Sequence, residues 1–469
     1  MPWGVVTVEL ALGLGILLLL GMDLLLPTSK KSLLWAGAVA VLLACAGLLI
    51  VQYVNGWTGV FTENFIADGF SGYFKGLFLL TAMVVLVMTR EHPPAHPGAF
   101  YLLLLTAVLG TLVLASVHDL LMLFIGLELL TFSLYIMAAY VRTDPRSVEA
   151  GMKYLIMGSV SSGFLVYGIA LLYGFAGGTT FAVIRQALSS GPVPLTAQAG
   201  LLLVLAGLGF KVAAVPFQLW VPDVYEGAPT PVVAFLSVGS KMAGVVAMLR
   251  VLYGACLPMT WAWSGALATL SAATMLYGNL AAIPQTNIKR LLGYSSIGHA
   301  GYLLMGLSTG TLDGAHAVAY YLLAYLFSNL TVFLVVVEAT PRIGGETLDH
   351  YRGLSKRSPL LAAALFVGLL SLAGVPPLAG FAGKLFVLLR TVETHQMWLV
   401  AIGAINVAIS LYYYLMVVKR MYFDAPERLD RIQISGASAA VLAALVAGIF
   451  AVGLIPEPFL SRIASAIQF

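Results

Sequence analysis

The sequence predicts an all-α integral membrane protein with about fourteen transmembrane helices, a prediction that rests on three observations. Apolar residues make up 60% of the chain and charged residues 9%, a composition that excludes an ordinary soluble globular protein. The apolar residues form long unbroken runs, whereas a membrane β-barrel shows short alternating segments. The connections between the runs are short, so they leave no room for a soluble catalytic domain.

An apolar helix needs about 20 residues to cross a bilayer. We expect the spans at 4–26, 33–54, 71–89, 98–116, 119–141, 149–175, 197–220, 229–253, 259–283, 291–309, 314–338, 358–390, 396–420 and 435–456. The first run contains Glu9 and Asp23 and lacks a basic start. This pattern favours a first transmembrane span over a cleaved signal peptide.

The seventh and twelfth runs contain residues that break helices. Pro216 follows Lys211 in the seventh run, and Pro376 and Pro377 precede Lys384 in the twelfth. Proline removes a helix donor and clashes with the preceding turn. Backbone N–H and C=O groups that lack helical hydrogen bonds are tolerated at membrane depth only where protein or cavity water binds them. We therefore predict discontinuous helices 7 and 12, with a simple proline kink as the alternative for each.

The two breaks indicate an internal repeat. The second break lies five spans after the first along the chain, and each break lies beside one lysine. Two five-helix repeats at 98–253 and 259–420 place the breaks at equivalent positions, and the second is inverted because five is odd. The predicted organisation is a single polytopic domain over 1–469. An N-terminal three-helix segment at 1–97 precedes the repeats, and the last helix and C-terminus follow at 435–469.

Basic residues in the connections predict the orientation. With the N-terminus outside, the inner connections carry Lys30, Lys31, Arg90, Arg142, Arg146, Lys289, Arg290, Arg342, Arg352, Lys356, Arg357, Lys419, Arg420, Arg428 and Arg431. The outer side carries Arg185, Arg250, Arg390 and Arg462. The positive-inside rule then predicts that both termini lie outside. We interpret these residues as topology signals in a protein whose partner is the lipid bilayer, with no nucleic acid bound.

Ionisable residues inside the runs are the strongest functional signal. Lys211, Lys241, Lys384, Glu128 and His299 lie deep in their spans, where each charged group costs roughly 2.5–3.5 kcal/mol. We expect them to be buried and to form a transmembrane charge relay. For the lysines the alternative is a structural ion pair or extension of the side chain to the interface from a helix end. For the glutamate and the histidine it is a locally bonded polar group.

Two further lysines lie closer to span ends. Lys153 lies just inside the sixth span, and Lys75 lies near the start of the third. Long lysine side chains in such places can extend to the interface. We expect Lys153 to reach the inner interface and Lys75 the outer one.

The chemistry that suits these groups is proton transfer. Burial favours neutral lysine, whereas a nearby carboxylate favours the charged form. If Glu128 approaches Lys211, the lysine keeps its proton; if Glu128 withdraws, the proton moves toward Lys241 and onward to His299 and Lys384. Export against 100 mV takes about 2.3 kcal/mol per charge. The energy must come from partner subunits or an ion gradient.

Motifs for other chemistry are incomplete. GFAGKL around Lys384 lacks the first glycine and the Ser or Thr of a phosphate loop, and GLGF at 207–210 lacks the third glycine of a dinucleotide fingerprint. Cys45 and Cys256 lie in different runs and form no metal or disulfide pattern.

Three motifs carry a family resemblance: PFQLWVPDVYEGAPTPVVAFLSVGSK (216–241), NIKRLLGYSSIGHAGYLL (287–304) and GVPPLAGFAGKLFVL (374–388). Together they resemble the antiporter-like subunits of respiratory complex I, and the first is most similar to the subunit N group. The resemblance covers essentially the whole chain. It implies a proton relay formed by Glu128, Lys153, Lys211, Lys241, His299 and Lys384.

The resemblance also implies partners and a location. It places the chain in a respiratory NADH–quinone oxidoreductase of the cell inner (cytoplasmic) membrane, as a non-redox translocating subunit. Its expected neighbours are another antiporter-like subunit and small quinone-proximal subunits. It implies no cofactor in this chain, with FMN, iron–sulfur clusters and quinone on partner subunits. A subunit of a multisubunit cation/proton antiporter, or of a proton-pumping membrane hydrogenase, remains the alternative.

Overall fold

The structure, a computed structural model, describes residues 2–426 and 430–469. Arg428, one of the predicted inner basic residues, lies outside the described residues. The helices are α1 (Thr7–Leu25), α2 (Leu33–Val54), α3 (Gly69–Met88), α4 (Pro97–Ser116), α5 (Leu120–Ala138), α6 (Pro145–Ala176), α7 (Phe181–Ser189), α8 (Leu195–Val212), α9 (Val221–Gly227), α10 (Thr230–Phe235), α11 (Lys241–Leu249), α12 (Thr260–Ala282), α13 (Ile288–Ser308), α14 (Leu312–Ile343), α15 (Leu354–Arg357), α16 (Pro359–Ala373), α17 (Ala379–Glu393), α18 (Met397–Tyr422), α19 (Gly436–Leu454) and α20 (Glu457–Ala466). A short antiparallel hairpin, β1 (Gly59–Phe61) and β2 (Phe65–Ala67), connects α2 to α3.

The all-α membrane fold class is confirmed. Within the described residues, 11 helices are long and apolar enough to cross a membrane. Every predicted run coincides with a helix or a pair of helices. The ninth, tenth and twelfth runs correspond to α12, α13 and the pair α16–α17, which are helical but do not belong to those 11. The count of fourteen spans therefore stays a prediction, as does the inverted repeat.

Both predicted helix breaks are present. The seventh run stops at Val212 and resumes as α9 at Val221, and the twelfth stops at Ala373 and resumes as α17 at Ala379. Gly374 ends α16 with a φ of 91°, a left-handed conformation that glycine adopts without strain. The prolines interrupt the helical ladder at both places, as the sequence predicts.

The eighth span contains an irregularity that the sequence did not reveal. Between α10 and α11, residues Leu236–Ser240 form a wide π-helical turn, and a second one follows α11 at Arg250–Ala255. No proline or glycine pair marks the first turn. Such π turns occur frequently at functional sites, and Lys241 is the first residue after this one.

The chain forms two compact units. Unit 1 comprises Met1–Val212, Gly239–Trp263 and Ser465–Phe469, and unit 2 comprises Ala213–Val238 and Ser264–Ala464. In unit 1, small residues allow close helix packing, as is usual in membrane proteins. A Cβ at Gly110 of α4 would lie 2.6 Å from the Leu130 amide nitrogen of α5. A Cβ at Gly168 of α6 would lie 2.6 Å from the Gly200 carbonyl oxygen of α8.

Arg250 joins three segments of unit 1. Its guanidinium binds both carboxylate oxygens of Asp68, at 2.7 and 2.8 Å, and donates to the Ala115 carbonyl oxygen at the end of α4. Asp68 also caps α3 by accepting from the Ser71 amide. Arg250, placed among the outer basic residues, is thus a buried structural cation. Sequence reasoning missed this pair because its members are far apart in the chain.

Charge and burial act in opposite directions on Asp68. Burial raises the pKa of the Asp68 carboxyl, but the Arg250 guanidinium and hydrogen bonds from Arg250 and Ser71 lower it by more. The resulting pKa lies below its usual value of 3.8. Ionised Asp68 therefore stabilises the fold at neutral pH, and this stabilisation is lost as the pH falls through the folded-state pKa.

We expect Asp68→Asn to lower the free energy of unfolding of the purified complex by on the order of 3 kcal/mol at pH 7. Asparagine still caps α3, so the loss reports the ion pair. The difference from wild type shrinks as the pH approaches and passes below 3.8. Asp349→Asn removes a carboxylate that is 58% exposed, and we expect it to change stability by at most about 1 kcal/mol. Equal losses in the two variants at pH 7 would contradict this assignment.

Candidate functional site

The Lys211 ammonium lies in a buried polar seam between α5, α6 and α8. Lys211 belongs to the last turn of α8 and is 2% exposed. Its Nζ donates to the Thr131 hydroxyl of α5 at 2.9 Å and to the Tyr154 hydroxyl of α6 at 3.3 Å. The partners are neutral, so the charge of a protonated Lys211 is solvated but not cancelled by them.

Glu128 belongs to the same seam. It lies one turn before Thr131 on the same face of α5, and the Ser162 hydroxyl of α6 donates to its carboxylate. Thr131 accepts from the Lys211 ammonium, so Glu128 lies one helical turn from a residue that binds Lys211. The structure thus brings together the two residues that the sequence predicted as a coupled pair.

The burial of Glu128 differs from its prediction. The sequence predicts a fully buried carboxylate, but Glu128 is partly exposed on the surface of this chain. The reason is its position on α5, whose neighbouring residues Ile125 and Phe132 are 55% exposed. Glu128 therefore lies at the edge of the seam, and Lys211 lies inside it.

Lys241 is buried close to Lys211. It is 2% exposed and begins α11, which packs against α8. A Cβ at Gly244, on the next turn of α11, would lie 3.1 Å from the Lys211 side chain. Unit 1 therefore places two of the predicted relay lysines on adjacent helices.

Lys153 and Lys75 differ in the exposure of their side chains. Lys153 has a side chain that is 44% exposed and pairs with Glu149 at 2.7 Å, in agreement with the prediction of an interfacial lysine. The prediction for Lys75 is wrong: its side chain is fully buried and its Nζ lies 2.6 Å from Glu9 of α1. The carboxylate of Glu9, on α1, pairs with the buried ammonium, so Lys75 does not need to reach the interface.

In unit 2, Lys384 binds the open end of a broken helix. Its Nζ donates to the carbonyl oxygens of Leu372 and Ala373, at 2.8 and 3.0 Å, and lies 5.0 Å from the centre of the Tyr302 ring. The break after Ala373 leaves these carbonyls without helical donors, and the C-terminal end of a helix favours a cation. Lys384 follows its break and binds backbone, whereas Lys211 precedes its break and binds hydroxyls.

His299 is held by two tyrosines. The ring is 4% exposed, with Nδ1 2.5 Å from the Tyr321 hydroxyl and Nε2 3.1 Å from the Tyr414 hydroxyl. Tyr414 also bonds Ser295, one turn before His299. Tyr302 lies one turn after His299 and its ring centre is 6.2 Å from that of Tyr321. A cluster of tyrosines therefore lies between Lys384 and His299, in contact through the rings of Tyr302 and Tyr321.

Sequence reasoning missed these tyrosines because it searched for charged groups. A weak signal was present: Tyr321 and Tyr325 lie four residues apart in an apolar helix, and therefore on one face. The cluster continues from Tyr413, whose hydroxyl donates to Asn279 at 3.0 Å, to Asn406, which accepts from Asn279 at 3.0 Å. Hydroxyl and amide groups of this kind can transmit protons between titratable residues.

Known membrane proteins are similar to this chain along nearly its whole length. The family model described as NADH:quinone oxidoreductase/Mrp antiporter, TM matches residues 117–410. The chain is 40% identical to the NADH-quinone oxidoreductase subunit N of Moorella thermoacetica, over 99% of this chain and 98% of that one. It is also 40% identical to NAD(P)H-quinone oxidoreductase subunit 2 of a Synechococcus strain, over 99% of this chain and 91% of that one.

Solved structures share the fold. A chain of respiratory complex I from Thermus thermophilus with bound aureothin is 32% identical, with a TM-score of 0.84 and coverage of 98% of this chain and 100% of that chain. A chain of an archaeal membrane-bound sulfane sulfur reductase is 25% identical, with a TM-score of 0.89 over 99% of this chain and 97% of that chain. A chain of the Mrp complex from a Dietzia strain, at 22% identity and a TM-score of 0.87 over 98% and 96% of the two chains, shares the fold.

Proposed function

This chain belongs to the NADH:quinone oxidoreductase/Mrp antiporter family, and we propose that it is the antiporter-like subunit N of a respiratory NADH–quinone oxidoreductase, where it translocates protons. Similarity to subunit N proteins along nearly the whole chain supports the assignment to the complex. The observation that carries the proton-transfer role is that buried Lys211 and Lys384 bind neutral hydroxyl and carbonyl partners. Such costly groups are rare in membrane spans unless they act in transport.

In unit 1 we assign Glu128, Lys211 and Lys241 to the relay on this geometry. We add Lys153, which is half-exposed and pairs with Glu149, on the family resemblance alone. Glu128 at the edge of the seam biases the charge of Lys211, because a carboxylate close to a buried ammonium favours the protonated form. A small movement of α5 against α8 changes this bias. When the bias weakens, Lys211 releases its proton toward Lys241 on the adjacent helix.

In unit 2 we assign His299 and Lys384 to the relay. The His299 ring can accept a proton at one nitrogen and release one at the other, and each nitrogen has a tyrosine hydroxyl beside it. Lys384 keeps two carbonyl acceptors. A neutral amine still has two N–H donors, so Lys384 can stay in place in either protonation state.

The relay needs an external energy source and partners. We propose that electron transfer in other subunits, which carry FMN, iron–sulfur clusters and quinone, supplies the energy, and that this chain binds no cofactor itself. Its proposed neighbours are another antiporter-like subunit and small quinone-proximal subunits of the cytoplasmic membrane, with both termini outside. Purification of the native complex tests this assignment directly. Co-migrating flavin and iron–sulfur chains support it, whereas chains of a cation/proton antiporter alone would refute it.

We expect Glu128→Ala to lower coupled proton transport by about 10²-fold, the usual contribution of a positioned proton-transfer group, while the complex stays assembled. The reason is that Lys211 loses the carboxylate that biases its charge. The measurement is proton uptake into vesicles that contain the purified complex, at equal amounts of this chain. Glu393→Ala, which removes a carboxylate that is 55% exposed, serves as the control. Undiminished transport by assembled Glu128→Ala complexes would exclude the coupled pair.

The Lys384→Arg variant tests whether the positive charge of Lys384 is sufficient or whether its side chain must release a proton. Arginine keeps a positive charge and can donate to the carbonyls of Leu372 and Ala373, so we expect normal assembly. It does not release its proton in proteins, so we expect proton transport to fall by at least about tenfold. The same vesicle assay measures the effect, with Arg390→Lys, an exposed basic pair member, as the control. Equal transport by wild type and Lys384→Arg would show that Lys384 is structural.

A further inference from the structure

Two cavities adjoin at one end of the spanning helices of unit 1. The first is a groove of about 760 Å³ between the start of α4, the end of α5 and the start of α6. The second, of about 670 Å³, lies between the α1–α2 connection and residues 93–99. They share His96 and Ala99. Tyr140 fixes the shared rim, since its hydroxyl donates to the His96 carbonyl oxygen and accepts from the His96 amide, at 2.7 and 2.9 Å.

The groove is apolar and faces outward. It extends from the helix ends to Leu103, Phe132 and Leu155, which lie roughly 9–15 Å along their helices at 1.5 Å per residue. Phe132 is 55% exposed and Met152 51% exposed. A groove of this depth, open on the surface of a membrane-spanning bundle, presents hydrocarbon to the bilayer.

The end of the groove is basic. Arg142 lines the groove at its mouth, and Lys31 lines the adjoining cavity together with Asp23. Lys31 and Asp23 pair at 2.8 Å and offset each other's charge, so Arg142 leaves a net positive charge beside His96. The positive-inside rule places this end on the inner face, where anionic lipid headgroups are found.

We propose that the groove and the adjoining cavity together bind one anionic glycerophospholipid. Its phosphate lies against Arg142 and His96, and one acyl chain lies in the groove along Phe132 and Met152. Two arguments favour an anionic glycerophospholipid over other occupants of the groove. The combination of an apolar channel with a basic mouth matches an amphipathic anion, and basic pockets between transmembrane helices on the inner side bind such headgroups.

Photo-crosslinking of the intact complex in its membrane tests the proposal. The probe is phosphatidylglycerol with a diazirine on one acyl chain, and the readout is the lipid adduct on peptides from 97–103 and 132–155. We expect an adduct there, a decrease of about fivefold in Arg142→Gln, and its loss in Ala99→Trp, because the indole fills the space shared by both cavities. Arg146→Gln, at an exposed residue outside both linings, and Ala170→Trp, at an exposed residue of α6, are matched controls that we expect to label like wild type.

Competition identifies the headgroup. Excess unlabelled phosphatidylglycerol should remove the adduct, and the same amount of phosphatidylcholine should not. Labelling of other lipid-facing helices without these peptides would show that a partner subunit covers the groove and would overturn the proposal. Equal labelling of Arg142→Gln and wild type, or equal competition by the two lipids, would overturn it as well.

Discussion

The ammonium groups of Lys211 and Lys384 are buried in an apolar bundle and need polar partners there, and how that need is met depends on the breaks in their helices. Lys211 donates to two hydroxyls, and Lys384 donates to two backbone carbonyls. Where the structure pairs buried charges directly, as in Glu9–Lys75 and Asp68–Arg250, the pairs hold segments together. The partner of a buried cation therefore distinguishes a candidate proton carrier from a structural ion pair.

The broken helices supply one kind of neutral partner. A continuous α16–α17 helix would use the carbonyls of Leu372 and Ala373 internally and leave Lys384 without acceptors. The prolines and Gly374 prevent that continuation, so the same residues that weaken the helix create the binding site for the ammonium. In α8 the helix ends just after Lys211, and neighbouring helices provide the hydroxyls instead.

The buried lysines and the helix breaks were predictable from the sequence. Charges in apolar runs identified Lys211, Lys241 and Lys384, and prolines and glycines identified both breaks, because each signal is local and energetically expensive. The partners were not predictable, because Thr131, Tyr154 and the tyrosines around His299 are ordinary residues whose role arises from helix packing. The Glu9–Lys75 pair was missed for the same reason, since residues distant in the chain meet only after folding.

We propose that the buried lysines carry protons, and Lys241 offers the most direct test because it is buried on α11, beside the helix that carries Lys211. The measurement is the number of protons transported per electron by vesicles containing the assembled Lys241→Met complex. Lys356→Met, at an exposed connection residue, is the control. We expect a clearly lower ratio for Lys241→Met and a wild-type ratio for Lys356→Met. A wild-type ratio in assembled Lys241→Met complexes would contradict it.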